Sequence, residues 1–106
     1  MALVKSTELN NTGVVGEYFK NFHIDINVLH ETIKVQAICY KDAAARDAGK
    51  APTNFRETAE VSGEDFVTWF NAPIPEGATT VGEVLLPMSY DFVKQNNENL
   101  ADAVDA

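Results

Sequence analysis

The sequence predicts an α+β domain: a three-stranded antiparallel sheet, four-stranded if a short edge segment joins it, with short helices packed on one face. Three observations carry this. Phe22, Ile24, Ile26 and Val28 are apolar at every second position, with His23, Asp25 and Asn27 polar between them, which is the period of a half-buried strand. Ile33, Val35, Ala37 and Cys39 repeat that alternation immediately afterwards. Beyond residue 80 the period lengthens, so that Val81, Val84, Leu85, Met88 and Phe92 share one helical face.

Residues 1–17 show no sustained period and read as a flexible N-terminal arm, ordered against a neighbouring subunit if at all. Within it Asn10-Asn11-Thr12-Gly13 is turn chemistry, and Val14-Val15, between Gly13 and Gly16, is the candidate fourth strand at an edge. The domain itself is expected over 18–96.

The two alternating runs form a hairpin. With His30-Glu31 at its tip, Val28 faces Ile33, Ile26 faces Val35, Ile24 faces Ala37 and Phe22 faces Cys39. A one-residue slip would break every apolar pair, which specifies the face of each residue. The tip has no Gly or Asn within it, so a four-residue loop from Leu29 to Thr32 is the alternative turn.

Asp42 is placed to cap a single helical turn over Ala43 to Arg46, Gly49 to end it, and Pro52 to forbid its continuation. The third strand reads Phe55, Glu57, Ala59, Val61 against Arg56, Thr58, Glu60. Glu57 interrupts its apolar face, which suits an edge position. Ser62-Gly63-Glu64-Asp65 resembles a capping box ahead of a short helix over 66–70, and 71–77, with Pro73 and Pro75, is a loop. Thr80 with Glu83 is a better capping box for the next helix. Pro87 is expected to kink or divide that helix, because it lacks an N–H and crowds the preceding turn. Residues 97–106 read as an acidic tail, frayed or disordered, with only Leu100 and Val104 large and apolar.

Composition excludes several classes of function. The 106 residues carry 16 acidic and 8 basic side chains, a formal net charge of −8. Phosphate binding needs a surplus of Lys and Arg, so neither nucleic acid nor anionic lipid is an expected partner. No apolar run approaches the roughly 18–20 residues of a membrane span, and no secretory signal is visible at the start. A lone cysteine, Cys39, has no internal partner for a disulfide and fits a reducing cytosol or a disulfide-independent fold.

Catalytic and ligand motifs are also unsupported. Cys39 falls on the apolar face of its strand, His23 on the opposite face and His30 at the hairpin tip, so no thiol–imidazole pair is expected. Two histidines and one cysteine are too few for a metal site without distant carboxylates. The glycines at 13, 16, 49, 63, 77 and 82 match no phosphate-binding loop. The chain is expected to be no enzyme and to hold no cofactor.

The aromatics are the residues left over. Phe19, Ile38 and Tyr40 fall off the apolar faces of the hairpin, and Trp69 and Phe70 cannot both point inward from one short helix. With Val14, Val15 and the loop residue Ile74 they are the candidate interface residues.

The stretch 18–70 resembles small structural proteins encoded in the tail modules of bacteriophages. The resemblance rests on the aromatic-led hairpin, on Tyr40-Lys41-Asp42 with Ala48-Gly49-Lys50-Ala51-Pro52, and on a strand ending in Val61-Ser62-Gly63-Glu64-Asp65-Phe66. It implies a non-enzymatic structural or adaptor subunit of a virion tail, baseplate or neck. Such a subunit assembles with copies of itself, commonly as a ring, and with other virion proteins. The alternative is a soluble acidic phage-encoded module that inhibits or recruits a host protein. Mimicry of nucleic acid would favour a continuous carboxylate stripe, whereas the carboxylates here are spread along the chain.

Overall fold

The strand Thr32–Tyr40 (β3) sets the inside and outside of the molecule, because its burial alternates without a break. Ile33, Val35, Ala37 and Cys39 are fully buried, and the residues between them are half-buried on the other face. The computed structural model describes residues 1–9 and 13–106, so the Asn10-Asn11-Thr12 turn expected from the sequence lies outside the described residues.

Val15–Asn27 (β2) pairs with β3 through a four-residue turn over 28–31, with Glu31 at φ 52° and the His30 N–H donating to Asn27 Oδ1 at 3.0 Å. The observed register differs from the expected one by two residues: Ile26 faces Ile33 and Ile24 faces Val35. A shift of two preserves the face of each side chain, so Ile24 and Ile26 still pack against the core. Val28 instead enters the turn and is exposed.

A β-bulge interrupts the pairing between Asn21 and His23, with Asn21 opposite Ala37 and His23 opposite Gln36. Phe22 is the extra residue, and the alternation of β2 changes phase there. Phe19, expected as an interface residue, therefore faces Cys39 and is fully buried. Phe22, expected in the core, is 46% exposed.

The described residues of the expected arm 1–17 are not free. Leu3–Glu8 (β1) pairs antiparallel with β2, Leu3 opposite Phe19, and both side chains are fully buried. Arg56–Ser62 (β4), the expected third strand, pairs with β3, and the strands not expected from the sequence are β1 and Val104–Asp105 (β5), which pairs with β1 where a tail was expected. The five strands run β4-β3-β2-β1-β5, all antiparallel. β4 holds the edge position that its Glu57 suggested. Residues 97–106 are ordered against the rest: Leu100 is fully buried, and the N–H of Ala106 donates to the carbonyl of Ala2 at 3.0 Å.

Three helices complete the chain. Ala43–Asp47 (α1) is capped as expected, the Ala45 N–H donating to Asp42 Oδ1 at 2.7 Å. Glu64–Phe70 (α2) forms without the Ser62 cap, because Ser62 remains in β4 and Gly63, at φ 62°, makes the turn. Val81–Asn96 (α3) starts at the Thr80–Glu83 box, with the Glu83 N–H donating to Thr80 Oγ1 at 3.2 Å and the Thr80 hydroxyl to Glu83 Oε1 at 3.1 Å. It is not divided at Pro87. Its buried side chains are Ser89, Tyr90, Phe92 and Val93, whereas Val81 is exposed, because only its C-terminal half lies over the sheet. Phe66 and Phe92 close the core on Ile33, Val35, Ala37 and Ala59.

Candidate functional site

The two layers leave two broad faces of different chemistry. α2 and α3 lie on the sheet face that carries Ile33, Val35 and Ala37. The opposite face has neither helix. Cross-strand partners share a face, so its side chains follow from the register: Tyr18 with Tyr40, Lys20 and Arg56 flanking Ile38, His23 and Thr58 flanking Gln36, Asp25 and Glu60 flanking Lys34. Tyr18 and Tyr40 meet edge to face with ring centroids 6.4 Å apart.

The bulge places Phe22 on this outer face. The Arg56 guanidinium lies 5.1 Å from the centre of its ring, and the His23 ring lies beside it at 6.3 Å. A cation over an aromatic face is held by the ring quadrupole, which keeps both groups at the surface in a defined arrangement. Ile38 sits between Lys20 and Arg56 in the adjoining row. The result is an apolar centre of Phe22, Ile38 and the tyrosine pair, edged by Lys20, Lys34 and Arg56.

On the helical side, a groove of about 390 Å³ runs between α2 and α3. Trp69 and Phe92, edge to face at 5.9 Å, line it together with Met88 and Val61, and Asp65 and Asp91 stand on its walls. Phe70 stacks on Phe66 at 5.3 Å and remains half-exposed.

The structure thus separates the eight interface candidates. Ile38 and Tyr40 meet on the outer sheet face, while Trp69 and Phe70 belong to the helical side, with Ile74 exposed in the loop that follows α2. Val14 and Val15 are exposed at the start of β2, where the Leu9 N–H donates to the Val14 carbonyl at 2.8 Å. Phe19 is in the core and leaves the set. Phe22 enters it, and nothing in the alternation of β2 read as one unbroken strand signals that exchange.

The residues weighed for chemistry are dispersed. Cys39 is fully buried, where desolvation pushes its thiol above the ordinary value. His23 lies on the outer face and His30 in the turn. Among the described residues no group of three or more His, Cys, Asp or Glu side chains converges to hold a metal. No helix of the described residues is long and apolar enough to cross a membrane. Comparison with protein-family models, with curated proteins and with solved structures finds no match.

Proposed function

We propose that this chain is a non-enzymatic structural or adaptor subunit of a bacteriophage particle, in the tail, baseplate or neck, that acts by assembling with copies of itself and with other virion proteins. The observation that carries the assembly part is the outer sheet face, where Phe22, Ile38, Tyr18 and Tyr40 stand on strands that neither packed helix covers. A patch with an aromatic and aliphatic centre and an Arg-bearing edge has the composition of a protein interface core. The virion part rests on the pattern resemblance of residues 18–70. In this reading the net charge of −8 keeps free subunits soluble before they assemble in the host cytoplasm.

Sedimentation of the source lysate followed by immunoblotting tests it. Recovery of the chain with megadalton particles is the expected result. Recovery only near the monomer or dimer mass would overturn it and favour the other reading, a soluble acidic module bound to a host protein. The carboxylates of the helical side are the feature that favours that second reading.

A further inference from the structure

Charge is divided unevenly between the two broad faces. From residue 63 to residue 98 the chain has six carboxylates and a single cation, Lys94. That lysine is engaged with Asp105 at 3.4 Å. The outer sheet face instead carries Lys20, Lys34 and Arg56 against Asp25 and Glu60. In a chain of net charge −8, β2, β3 and β4 thus carry a cationic excess of one on that side. Each face also has an apolar centre: Phe22 and Ile38 on the sheet, and Trp69 with Met88 over the buried Phe92 in the groove between α2 and α3.

We propose that the groove between α2 and α3 is the docking site for the outer sheet face of a second copy of this chain. The contact is head to tail, with Arg56 and Lys34 of one copy meeting Asp65 and Asp91 of the next around the aromatic centres. This rests on the assembly reading and specifies which surfaces meet. Charge decides between the possible pairings. Sheet to sheet would oppose two faces with the same small cationic excess, and helix to helix would oppose two acidic layers. The heterologous pairing brings faces of opposite net sign together, which sets register and speeds encounter. The molecule measures 40 × 29 × 22 Å, so its broad faces are large enough for the roughly 800 Å² that each partner contributes to a standard interface. A head-to-tail contact propagates, closing into a ring or extending as a filament.

Sedimentation velocity of the purified full chain across a concentration series tests the contact, with two surface variants, Lys34→Glu/Arg56→Glu and Asp65→Lys/Asp91→Lys. Circular dichroism first establishes that both variants fold. The wild type is expected to form oligomers, and each variant alone to associate at least about tenfold more weakly. An equal mixture of the two is expected to recover oligomers, since altered faces then meet altered faces of opposite sign. Oligomers that persist in either variant, or a mixture that stays monomeric, would overturn the proposed contact. A monomeric wild type would overturn it as well. If that same chain nevertheless sediments with particles in the lysate, the assembly reading stands and only the self-contact fails.

Discussion

The backbone N–H of Asn21 donates to the hydroxyl of Tyr90 at 3.0 Å, across 69 residues of sequence. The same hydroxyl donates to the carbonyl of Met1 at 2.9 Å. With Leu3 opposite Phe19, the register of β1 would set Met1 opposite Asn21. The tyrosine hydroxyl therefore bridges the two chain segments beside the bulge in β2. Tyr90→Phe removes both bonds and leaves a donor and an acceptor without that partner. A loss of about 1–2 kcal/mol is expected in urea unfolding, with an unchanged m-value.

The phase change at the bulge makes two phenylalanines three residues apart unequal. Phe19→Ala should destabilise by about 3–5 kcal/mol, because it opens a cavity beside Leu3 and Phe55. Phe22→Ala should cost less than about 1 kcal/mol, since the ring is half in solvent and touches Arg56 and His23. Equal losses in denaturant titrations would show that the bulge is misplaced.

Glu57 is a carboxylate on the inner side of β4, only 8% exposed. Asn97 Nδ2 donates to it at 2.9 Å and Asn99 Nδ2 approaches both of its oxygens at 3.4 Å, so the segment after α3 satisfies it. Asn97→Ala is expected to cost about 2 kcal/mol, the scale of a hydrogen bond to a charged group. Asn97→Asp should cost more, by placing a second carboxylate against the first.

The two chain ends are expected to be essential to the fold. Deleting residues 1–9 removes Leu3 and Leu9 from the core together with β1, and it leaves β5 without a partner. Deleting 99–106 removes the buried Leu100 and Ala103. Either truncation should abolish cooperative thermal unfolding. A truncated chain that still melts cooperatively would return residues 1–9 to the status of a dispensable arm. Lys5 also holds the exposed Asp102 carboxyl below its ordinary value through a 2.6 Å ion pair. The folded state therefore binds that proton less readily, and the contribution is lost as the pH falls below the carboxylate range.

Burial raises the Cys39 thiol and the Tyr90 phenol above their ordinary values. Both groups keep their protons in the folded state at pH values where the unfolded chain has released them. Stability should therefore decline as the pH rises above about 9. Denaturation midpoints measured between neutral and alkaline pH check this, and a thiol-directed reagent should react with Cys39 only as fast as the chain unfolds.

A methyl group at Gly16 would stand 2.5 Å from the Cys39 sulfur and 3.4 Å from the Leu9 methyls. Gly16→Ala should accordingly cost about 1–3 kcal/mol. Combining it with Cys39→Ala, which removes the sulfur, should recover part of that loss in a double-mutant cycle.

Local chemistry was enough to read several parts of this protein from the sequence. The inward set of β3, the Asp42 cap of α1, the Thr80–Glu83 start of α3 and the edge position of β4 all follow from periodicity or capping within a few residues. Where the outcome depended on distant partners, the sequence pattern was silent or misleading. β1 is irregular and β5 only two residues long, so neither announces itself; β1 is a strand because it pairs with β2 and buries Leu3, and β5 because it pairs with β1. A single extra residue at Phe22 inverted the faces of everything before it in β2, an inversion that period-two reasoning cannot register. The candidate site divides in the same way. Ile38 and Tyr40 were legible as outward residues from alternation alone, but only the tertiary structure moved Phe19 into the core, brought Phe22 under Arg56 and set Lys20 and Arg56 on the side of the sheet away from Asp65 and Asp91. A strand's face is a local property until its ladder is broken, and the distribution of charge over a surface is never local.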